Sequence, residues 1–89
     1  MKQLFVTISG AVQGVSFRYF LQEQAEINHI TGWTKNTKSG TVEAPFQGEE
    51  KNVGKMIKRC LYGPEAANVE KVEIKEVSEP LLQSFEIKK

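Results

Sequence analysis

The feature that most constrains the fold is an apolar stripe in the second half of the sequence. Apolar residues recur there at i, i+3, i+4, i+7 and i+8, as Val53, Met56, Ile57, Cys60 and Leu61. This spacing predicts an amphipathic helix with one buried face, and the Gly-Pro pair that follows predicts its end. Because 89 residues suffice for one core, we expect residues 1–89 to form a single domain.

Strand-like segments lie on both sides of this helix and of a second one. The other helix is predicted over residues 17–28, since Phe17, Leu21 and Ala25 recur at helical spacing. Short β-rich or alternating runs predict strands at Leu4–Ile8, at Gly32–Asn36, around Val42–Phe46, around Val72–Ile74 and at Ser84–Ile87.

The resulting order is β-α-β-β-α-β with a short additional strand. This order predicts an α+β fold, a two-layer ferredoxin-like sandwich with an antiparallel sheet and a short extra C-terminal strand. Pro45 predicts a bulge or the end of regular pairing in the third strand, because proline cannot donate to the ladder. A fold of this kind hosts many functions, so function has to be inferred from particular residues.

The composition argues against several classes of function. A net charge of +1 argues against a broad nucleic-acid footprint, which needs clustered excess Lys and Arg. No apolar run approaches the roughly 20 residues of a membrane-spanning helix, and the amino terminus lacks the features of a signal peptide. We therefore expect a cytoplasmic protein that binds neither nucleic acid nor membrane, and a monomer is the default for a chain this small and polar.

The usual groups of hydrolase chemistry are scarce in the sequence. All acidic residues are Glu, which excludes an aspartyl-phosphate nucleophile and EF-hand calcium loops. His29 and Cys60 are the single residues of their types, so a clustered zinc site is implausible. The residues after Cys60 include no arginine that would hold a phosphate beside a thiolate, and Cys60 is interpreted as a small core residue.

The segment Gly10–Arg18 is the first candidate site. Gly10 and Gly14 allow positive φ, so successive backbone N–H groups can converge on an anion. The start of the first helix adds free amides and a positive dipole end, and Ser16 is predicted to cap it. Arg18 falls in the first turn, where a guanidinium can hold two phosphate oxygens. The glycine spacing alone is common, and an ordinary turn followed by a surface arginine explains it well.

Two longer motifs are far more specific. Residues 12–18 read Val-Gln-Gly-Val-x-Phe-Arg, and residues 32–48 contain Gly-Trp-Thr-Lys-Asn, then Gly-Thr-Val and a closing Gly. Both resemble the signatures of the acylphosphatase family, and they occur in the family's order. The stretches Tyr62–Pro64 and Val69–Val72 also resemble that family, so the resemblance covers essentially the whole chain.

The resemblance implies hydrolysis of small-molecule acyl phosphates without metal or cofactor, by direct attack of a positioned water on the phosphate. Arg18 matches the arginine that binds the phosphate, and Asn36 matches the asparagine that positions the water. The backbone amides implied to share the phosphate are those of Val12, Gln13, Gly14 and Val15. The residues expected to support the site are Gly10, Ser16 and Thr37. Inorganic phosphate is then expected as a product or an inhibitor.

Four positions depart from the family pattern. Ala11 stands where a basic residue is usual, which predicts weaker electrostatic attraction of the substrate. Ser9, Ser16 and Thr34 replace a frequent His, a commoner Gly or aromatic residue, and a small apolar residue. The arginine and the asparagine are both retained, so we expect these four departures to lower only the catalytic rate or the substrate affinity.

Two alternatives remain on the same fold. A non-catalytic anion- or protein-binding module would keep the arginine loop without needing the amide of Asn36, so the presence of Asn36 favours an enzyme. An RNA-binding domain would need exposed aromatic residues beside basic ones on the central strands. The first strand offers Phe5, but the third lacks an aromatic cluster, and this alternative ranks last.

Overall fold

The predicted βαββαβ order is present, and a short fifth strand follows it. The computed structural model describes residues 1–78 and 82–88. Within them the elements, in chain order, are β1 (Lys2–Ala11), α1 (Phe17–Ile27), β2 (Thr31–Asn36), β3 (Val42–Gly48), α2 (Glu50–Tyr62), β4 (Asn68–Glu76) and β5 (Phe85–Ile87). The strands form a sheet in the order β4-β1-β3-β2-β5.

The pairing of the strands confirms the ferredoxin-like sandwich. β1, β2, β3 and β4 are antiparallel to one another wherever they pair. β5 lies at the edge and pairs in parallel with β2, from Gly32 opposite Phe85 to Thr34 opposite Ile87. The extra strand therefore makes the sheet mixed. No helix in the described residues combines the length and the apolar character needed to cross a membrane.

The core lies between the helices and one face of the sheet. Alternate residues of β1 and β3 point into it, as the strand period of two requires. The stripe on α2 is buried at Val53, Met56 and Cys60, which confirms the predicted helix. Leu61 is 52% exposed, because position i+8 is rotated by about 80° from position i and lies at the margin of the stripe.

Pro45 is buried in β3, a central strand of the sheet. β3 pairs with β1 in one continuous register, with Phe5 opposite Pro45, so the predicted bulge is absent from β3. On its other side the ladder to β2 is interrupted opposite Pro45 and resumes where Lys35 faces Glu43. The predicted loss of regular pairing is confirmed on this side only, where proline has no N–H to donate.

β1 extends to Ala11, beyond its predicted end at Ile8. Its register with β4 shifts between Ser9 and Gly10, which is a β-bulge. Gly10 has a φ of +124°, and a side chain there would collide with the carbonyl oxygen of Asn68. The bulge therefore requires a glycine, and the loop that was expected from Gly10 begins after Ala11.

Candidate active site

The loop of residues 12–16 joins the end of β1 to the start of α1. Its two ends are anchored in the core, because Val12 and the adjoining Phe17 are each 1% exposed. Gly14 and Ser16 take positive φ values of +73° and +61°. These left-handed residues bend the chain between its two anchors, as a loop this short requires.

Ser16 occupies the N-cap position of α1, but its side chain makes no capping hydrogen bond. A capping serine normally has an extended backbone, whereas Ser16 is left-handed. The prediction that its hydroxyl caps the helix is therefore wrong. As a consequence, the first amides of α1 have no side-chain cap and remain available to an anion.

The backbone amides of the loop are unequally available. The Val12 N–H donates to the carbonyl oxygen of Gly10, with nitrogen and oxygen 3.0 Å apart. Among the described residues, the amides of Gln13, Gly14 and Val15 donate to no backbone carbonyl. The prediction that Val12 supplies a phosphate-binding amide is therefore not supported, because its donor is already used. Val12 contributes a buried side chain instead.

Arg18 is the second residue of α1 and is half-buried. Its Nη1 donates a hydrogen bond of 3.2 Å to the carbonyl oxygen of Lys88, just after β5. Within the described residues it forms no ion pair with a carboxylate. A guanidinium has five N–H donors, so this bond sets its direction and leaves other donors and the positive charge available.

Arg18 and Asn36 line the same pocket. Its volume is about 250 Å³. The loop and the start of α1 supply one wall, and the end of β2 supplies the other; the lining residues are Val12, Gly14, Ser16, Phe17, Arg18, Tyr19 and Asn36. The fold thus brings together the arginine and the asparagine that the sequence singled out. Gln13, Val15 and Thr37 are not part of this lining.

Asn36 is the last residue of β2, where it pairs with Val42 of β3. It is half-buried, and within the described part of the chain its side-chain amide makes no hydrogen bond to protein. An amide offers both donors and an acceptor. Asn36 can therefore hold a water or a ligand atom at the pocket without first breaking a protein contact.

The turn between β2 and β3 fixes the position of Asn36. The Thr37 N–H donates to the carbonyl oxygen of Thr41 over 2.9 Å, and the hydroxyl oxygens of the two threonines are 2.7 Å apart. The Thr37 hydroxyl also accepts a bond of 3.2 Å from the Thr41 N–H. Thr37 therefore closes the turn directly after Asn36, which is the arrangement that its expected supporting role needs.

Gln13 joins the loop to this turn. Its Nε2 donates to the carbonyl oxygens of Thr37 and Thr41, over 2.8 Å and 2.9 Å. These two bonds, the Gln13 brace, connect the segment that carries the free amides to the segment that carries Asn36. The family resemblance implies only a backbone role for Gln13. Nothing in the sequence indicates the brace, because its partners are carbonyl groups, which every residue possesses.

His29 and Cys60 are not among the residues that line the pocket. His29 is exposed and lies just after α1. Burial raises the pKa of the Cys60 thiol to about 12, so the thiol stays protonated and unreactive near neutral pH. In residues 1–78 and 82–88, no three His, Cys or Glu side chains form a group that could hold a metal ion. The polar side chains that line the pocket are the guanidinium of Arg18, the amide of Asn36 and the hydroxyl groups of Ser16 and Tyr19, and backbone N–H groups lie beside them.

Comparisons with known proteins agree on one family. A family model described as Acylphosphatase matches residues 4–87. The acylphosphatase of Oceanobacillus iheyensis is 42% identical over 90 residues, which cover 99% of this chain and 99% of that protein. The crystal structure of acylphosphatase from Bacillus subtilis is similar with a TM-score of 0.96 and 31% identity over 100% of both chains. An acylphosphatase structure from Coxiella burnetii gives 0.94 and 33%, over 98% of this chain and 92% of that one.

Proposed function

The chain belongs to the acylphosphatase family, and we propose that it hydrolyses acyl phosphates with Arg18 holding the phosphate and Asn36 positioning the attacking water. The products are a carboxylate and inorganic phosphate. The observation that carries this assignment of roles is that both side chains line one pocket, beside loop amides that donate to no backbone carbonyl among the described residues.

In this proposal the phosphate binds over the start of α1. Its oxygens accept hydrogen bonds from the amides of Gln13, Gly14 and Val15 and from the first turn of the helix, whose dipole adds positive potential. Arg18 makes a bidentate contact, which suits the geometry of a phosphate better than the point charge of a lysine. The bond to Lys88 holds the guanidinium in the pocket wall.

Asn36 orients the water in line with the oxygen that leaves. Support for this role comes from its place in the same pocket lining as Arg18 and from a side-chain amide that forms no hydrogen bond with any described protein group. Holding the nucleophile in a reactive geometry removes much of the entropic cost of the reaction. An amide is not a useful base, so Asn36 positions the water and takes no proton from it.

The reaction needs neither a general acid nor a general base from the protein. The leaving carboxylate has a conjugate acid with a pKa of about 4, so it departs without protonation. The water oxygen forms a bond to phosphorus, the bond from phosphorus to the carboxyl oxygen breaks, and the electron pair leaves with the carboxylate. The water proton passes to a phosphate oxygen of the substrate. Arg18 and the amides stabilise the charge on the phosphoryl oxygens in the transition state.

The rival function is a non-catalytic anion-binding module on the same fold. Such a module would use Arg18 and the loop amides but would gain nothing from Asn36. The turn that holds Asn36 is closed by Thr37 and tied to the loop by the Gln13 brace. A structure that fixes Asn36 relative to the phosphate site favours a catalytic role.

The decisive experiment is hydrolysis of benzoyl phosphate by the purified protein in EDTA, beside Arg18→Ala and Asn36→Ala. Matched controls are Arg59→Ala and Asn52→Ala, which change the same residue types on α2. We expect Arg18→Ala to lose both phosphate binding and turnover. Asn36→Ala should keep phosphate binding and lose turnover by about 100- to 1,000-fold, as when one transition-state donor is removed. Inorganic phosphate should inhibit the wild type competitively.

Two results would contradict these roles. If the folded wild type binds phosphate but hydrolyses no acyl phosphate, the binding module is the correct function. If Asn36→Ala loses phosphate affinity and keeps its turnover number, Asn36 is a binding residue and positions no water. A pH–rate profile that shows an enzyme group titrating near neutrality would overturn the transfer of the proton to the substrate.

We further propose that the protein acts as a monomer in the cytoplasm. Support comes from its net charge of +1 and from Lys and Glu residues that alternate on the exposed strand β4. This surface is typical of a solvated face. Light scattering after size-exclusion chromatography should give the mass of one chain, and the mass of two chains would refute the monomer.

A further inference from the structure

Net positive charge is concentrated on one helix of the chain. α2 carries Lys51, Lys55, Lys58 and Arg59 against a single carboxylate, Glu50, which gives the helix a net charge of +3. The whole chain carries +1, so the residues outside α2 have a net charge of −2. All four cations are exposed, and within the described residues none of them forms an ion pair. The charge of α2 is therefore not balanced locally.

The stability of α2 does not account for this arrangement. Lys51, Lys55 and Arg59 follow one another at intervals of four residues, and Lys58 is three residues from Lys55. Like charges at these spacings are neighbours on a helix and repel each other. Lys51 also lies in the first turn, where the helix dipole disfavours a cation, and only Arg59 lies in the last turn, where the dipole favours one. A cluster that weakens its own helix is expected where its charges serve another purpose.

Three of these cations line a groove between α2 and the end of α1. The volume of the groove is about 380 Å³. Its lining, which includes no carboxylate of the described part of the chain, consists of Asn28, Lys55, Lys58, Arg59 and Tyr62. These five residues form the α2 groove. It shares no lining residue with the phosphate pocket, so an inference about it is independent of the proposed function.

The packing of the two helices holds the α2 groove in place. Asn28 is half-buried at the C-cap of α1, and its Nδ2 donates to Met56 Sδ over 3.9 Å. At the other end, Gly63 follows Tyr62 with a φ of +68° and lies so close to the ring of Phe17 that a side chain would collide with it. Tyr62 itself is 79% exposed. The groove thus has fixed ends, with an aromatic ring open to solvent at one of them.

The spacing of the charges indicates what kind of anion the groove fits. Lys55 and Arg59 are four residues apart, which is about 6 Å along the helix axis, further than the oxygens of one phosphate extend. The backbone N–H groups of this part of α2 are used within the helix, so side chains alone are available to a ligand. Lysine ammonium groups are point charges on flexible stems, and they can follow phosphates that lie side by side.

We propose that the α2 groove binds a small molecule that carries two or more adjacent phosphate groups. The phosphates contact the three cations, and the exposed ring of Tyr62 can stack on a nucleobase if the molecule has one. A long polyanion is a poor fit, because it would extend beyond α2 over a surface without excess positive charge. The ligand is therefore either a nucleotide or a short inorganic polyphosphate.

Titration of the wild type with tripolyphosphate in EDTA, followed by amide NMR, locates the binding site. We expect shifts at Asn28 and in the second half of α2, besides those that phosphate groups cause in the loop of residues 12–16. Lys55→Gln combined with Lys58→Gln should weaken the binding measured at α2 by about 10-fold, because charge-assisted contacts are lost. The matched control is Lys71→Gln combined with Lys75→Gln on β4, which removes the same charge and should leave this affinity unchanged.

Two results of this titration would overturn the proposal. Shifts confined to residues 12–16 would show that the phosphate pocket is where the polyphosphate binds. Equal losses of affinity in the two double variants would show that net charge alone governs the binding. The same spectra report whether each variant is folded, so a loss of affinity through unfolding is recognised directly.

A comparison of ADP with inorganic diphosphate identifies the source of the phosphates. For a nucleotide, Tyr62→Ala should lower the affinity of the α2 groove for ADP by about 5-fold and leave that for diphosphate unchanged, because the base loses its stacking partner. Tyr62→Phe keeps the ring and should bind ADP like the wild type. Affinities that Tyr62→Ala does not alter would assign the groove to an inorganic polyphosphate. If neither ligand shifts the amides of α2, the groove binds no adjacent phosphates and the proposal is wrong.

Discussion

Arg18 Nη1 donates a hydrogen bond of 3.2 Å to the carbonyl oxygen of Lys88. The Lys88 N–H in turn donates to the carbonyl oxygen of Thr34 in β2 over 2.8 Å. β2 is the strand that ends at Asn36. The N–H and the carbonyl group of Lys88 therefore link the helix that carries the arginine to the strand that carries the asparagine, so the backbone of a single residue connects the two proposed working residues.

Without its N–H, Lys88 is no longer bonded to Thr34, so its carbonyl group should position Arg18 less firmly. Lys88→Pro deletes the donor to Thr34 and is compatible with the extended residue before it. We expect kcat/KM for benzoyl phosphate to be about 10-fold below that of Lys88→Ala, which keeps the N–H and loses the same ammonium, since transition-state contacts of an arginine are worth a few kcal/mol. Steady-state kinetics and thermal unfolding of both variants measure this. Equal kinetics in the two variants would show that the backbone link does not position Arg18.

Breaking the Gln13 brace should disturb the geometry between the loop and Asn36. Gln13→Glu keeps the shape of the side chain but sets a carboxylate against the carbonyl oxygens of Thr37 and Thr41. We expect a loss of about 1–3 kcal/mol in the free energy of unfolding, because partly buried carbonyls lose their donor. We also expect kcat/KM to fall by about 10-fold, because a small displacement of Asn36 relative to the phosphate site lowers the rate of the reaction.

Chemical denaturation and benzoyl phosphate kinetics test the brace together. Gln24→Glu on α1 is the matched control for the change of charge and shape. A Gln13→Glu variant with wild-type kinetics would mean that the loop and the turn hold their relative positions without the brace.

Thr34 is fully buried, and within the described residues its hydroxyl has no hydrogen-bond partner. An unpaired buried hydroxyl is destabilising, and valine has nearly the same shape. Thr34→Val should therefore raise the free energy of unfolding by about 1 kcal/mol, or Tm by about 5 °C. Thr31→Val is the contrasting variant, because the Thr31 hydroxyl accepts a bond of 3.1 Å from Gln47. It should lower Tm; if Thr34→Val lowers Tm as well, the Thr34 hydroxyl has a stabilising role.

Cys60 should make the stability depend on alkaline pH. Burial raises the pKa of its thiol from 9.0 to about 12, so above pH 9 the unfolded chain loses a proton that the folded protein keeps. The contribution of the protonated Cys60 thiol to the free energy of unfolding is complete below pH 9. It declines by about 1.4 kcal/mol per pH unit toward pH 12. The stability difference between wild type and Cys60→Ala should therefore shrink between pH 9 and pH 11. Urea unfolding at several pH values measures it, and a constant difference would show that the thiolate is tolerated in the fold.

The sequence is sufficient to predict those parts of the structure that depend on local periodicity. The stripe from Val53 to Cys60 occupies one face of α2, and the spacing after Phe17 gives α1, because a helix repeats every 3.6 residues whatever surrounds it. Arg18 and Asn36 could be identified from motifs in which residue type and order are both specific. The structure places these two residues in one pocket, although the sequence gives no distance between them.

Features that depend on a distant backbone partner could not be predicted. The Gln13 brace and the bond from Arg18 to Lys88 both end on backbone carbonyl oxygens. Because every residue type has this group, the sequence does not indicate which residues accept these bonds. The extension of β1 past Ile8 depends on β4 and on the bulge at Gly10. Ser16 has the residue type of a helix cap, but the bend of the loop imposes a left-handed backbone on it.

The Gln13 brace has a consequence for how this chain can diverge in evolution. Because it binds the main chain of the turn, it does not constrain the exposed side chains of Lys38 and Ser39. It does constrain the spacing of its two acceptors, which a single inserted or deleted residue would change. Among functional descendants, we expect positions 38 and 39 to accumulate substitutions, while Gly40, with its φ of +92°, is retained and insertions and deletions within the turn are eliminated by selection.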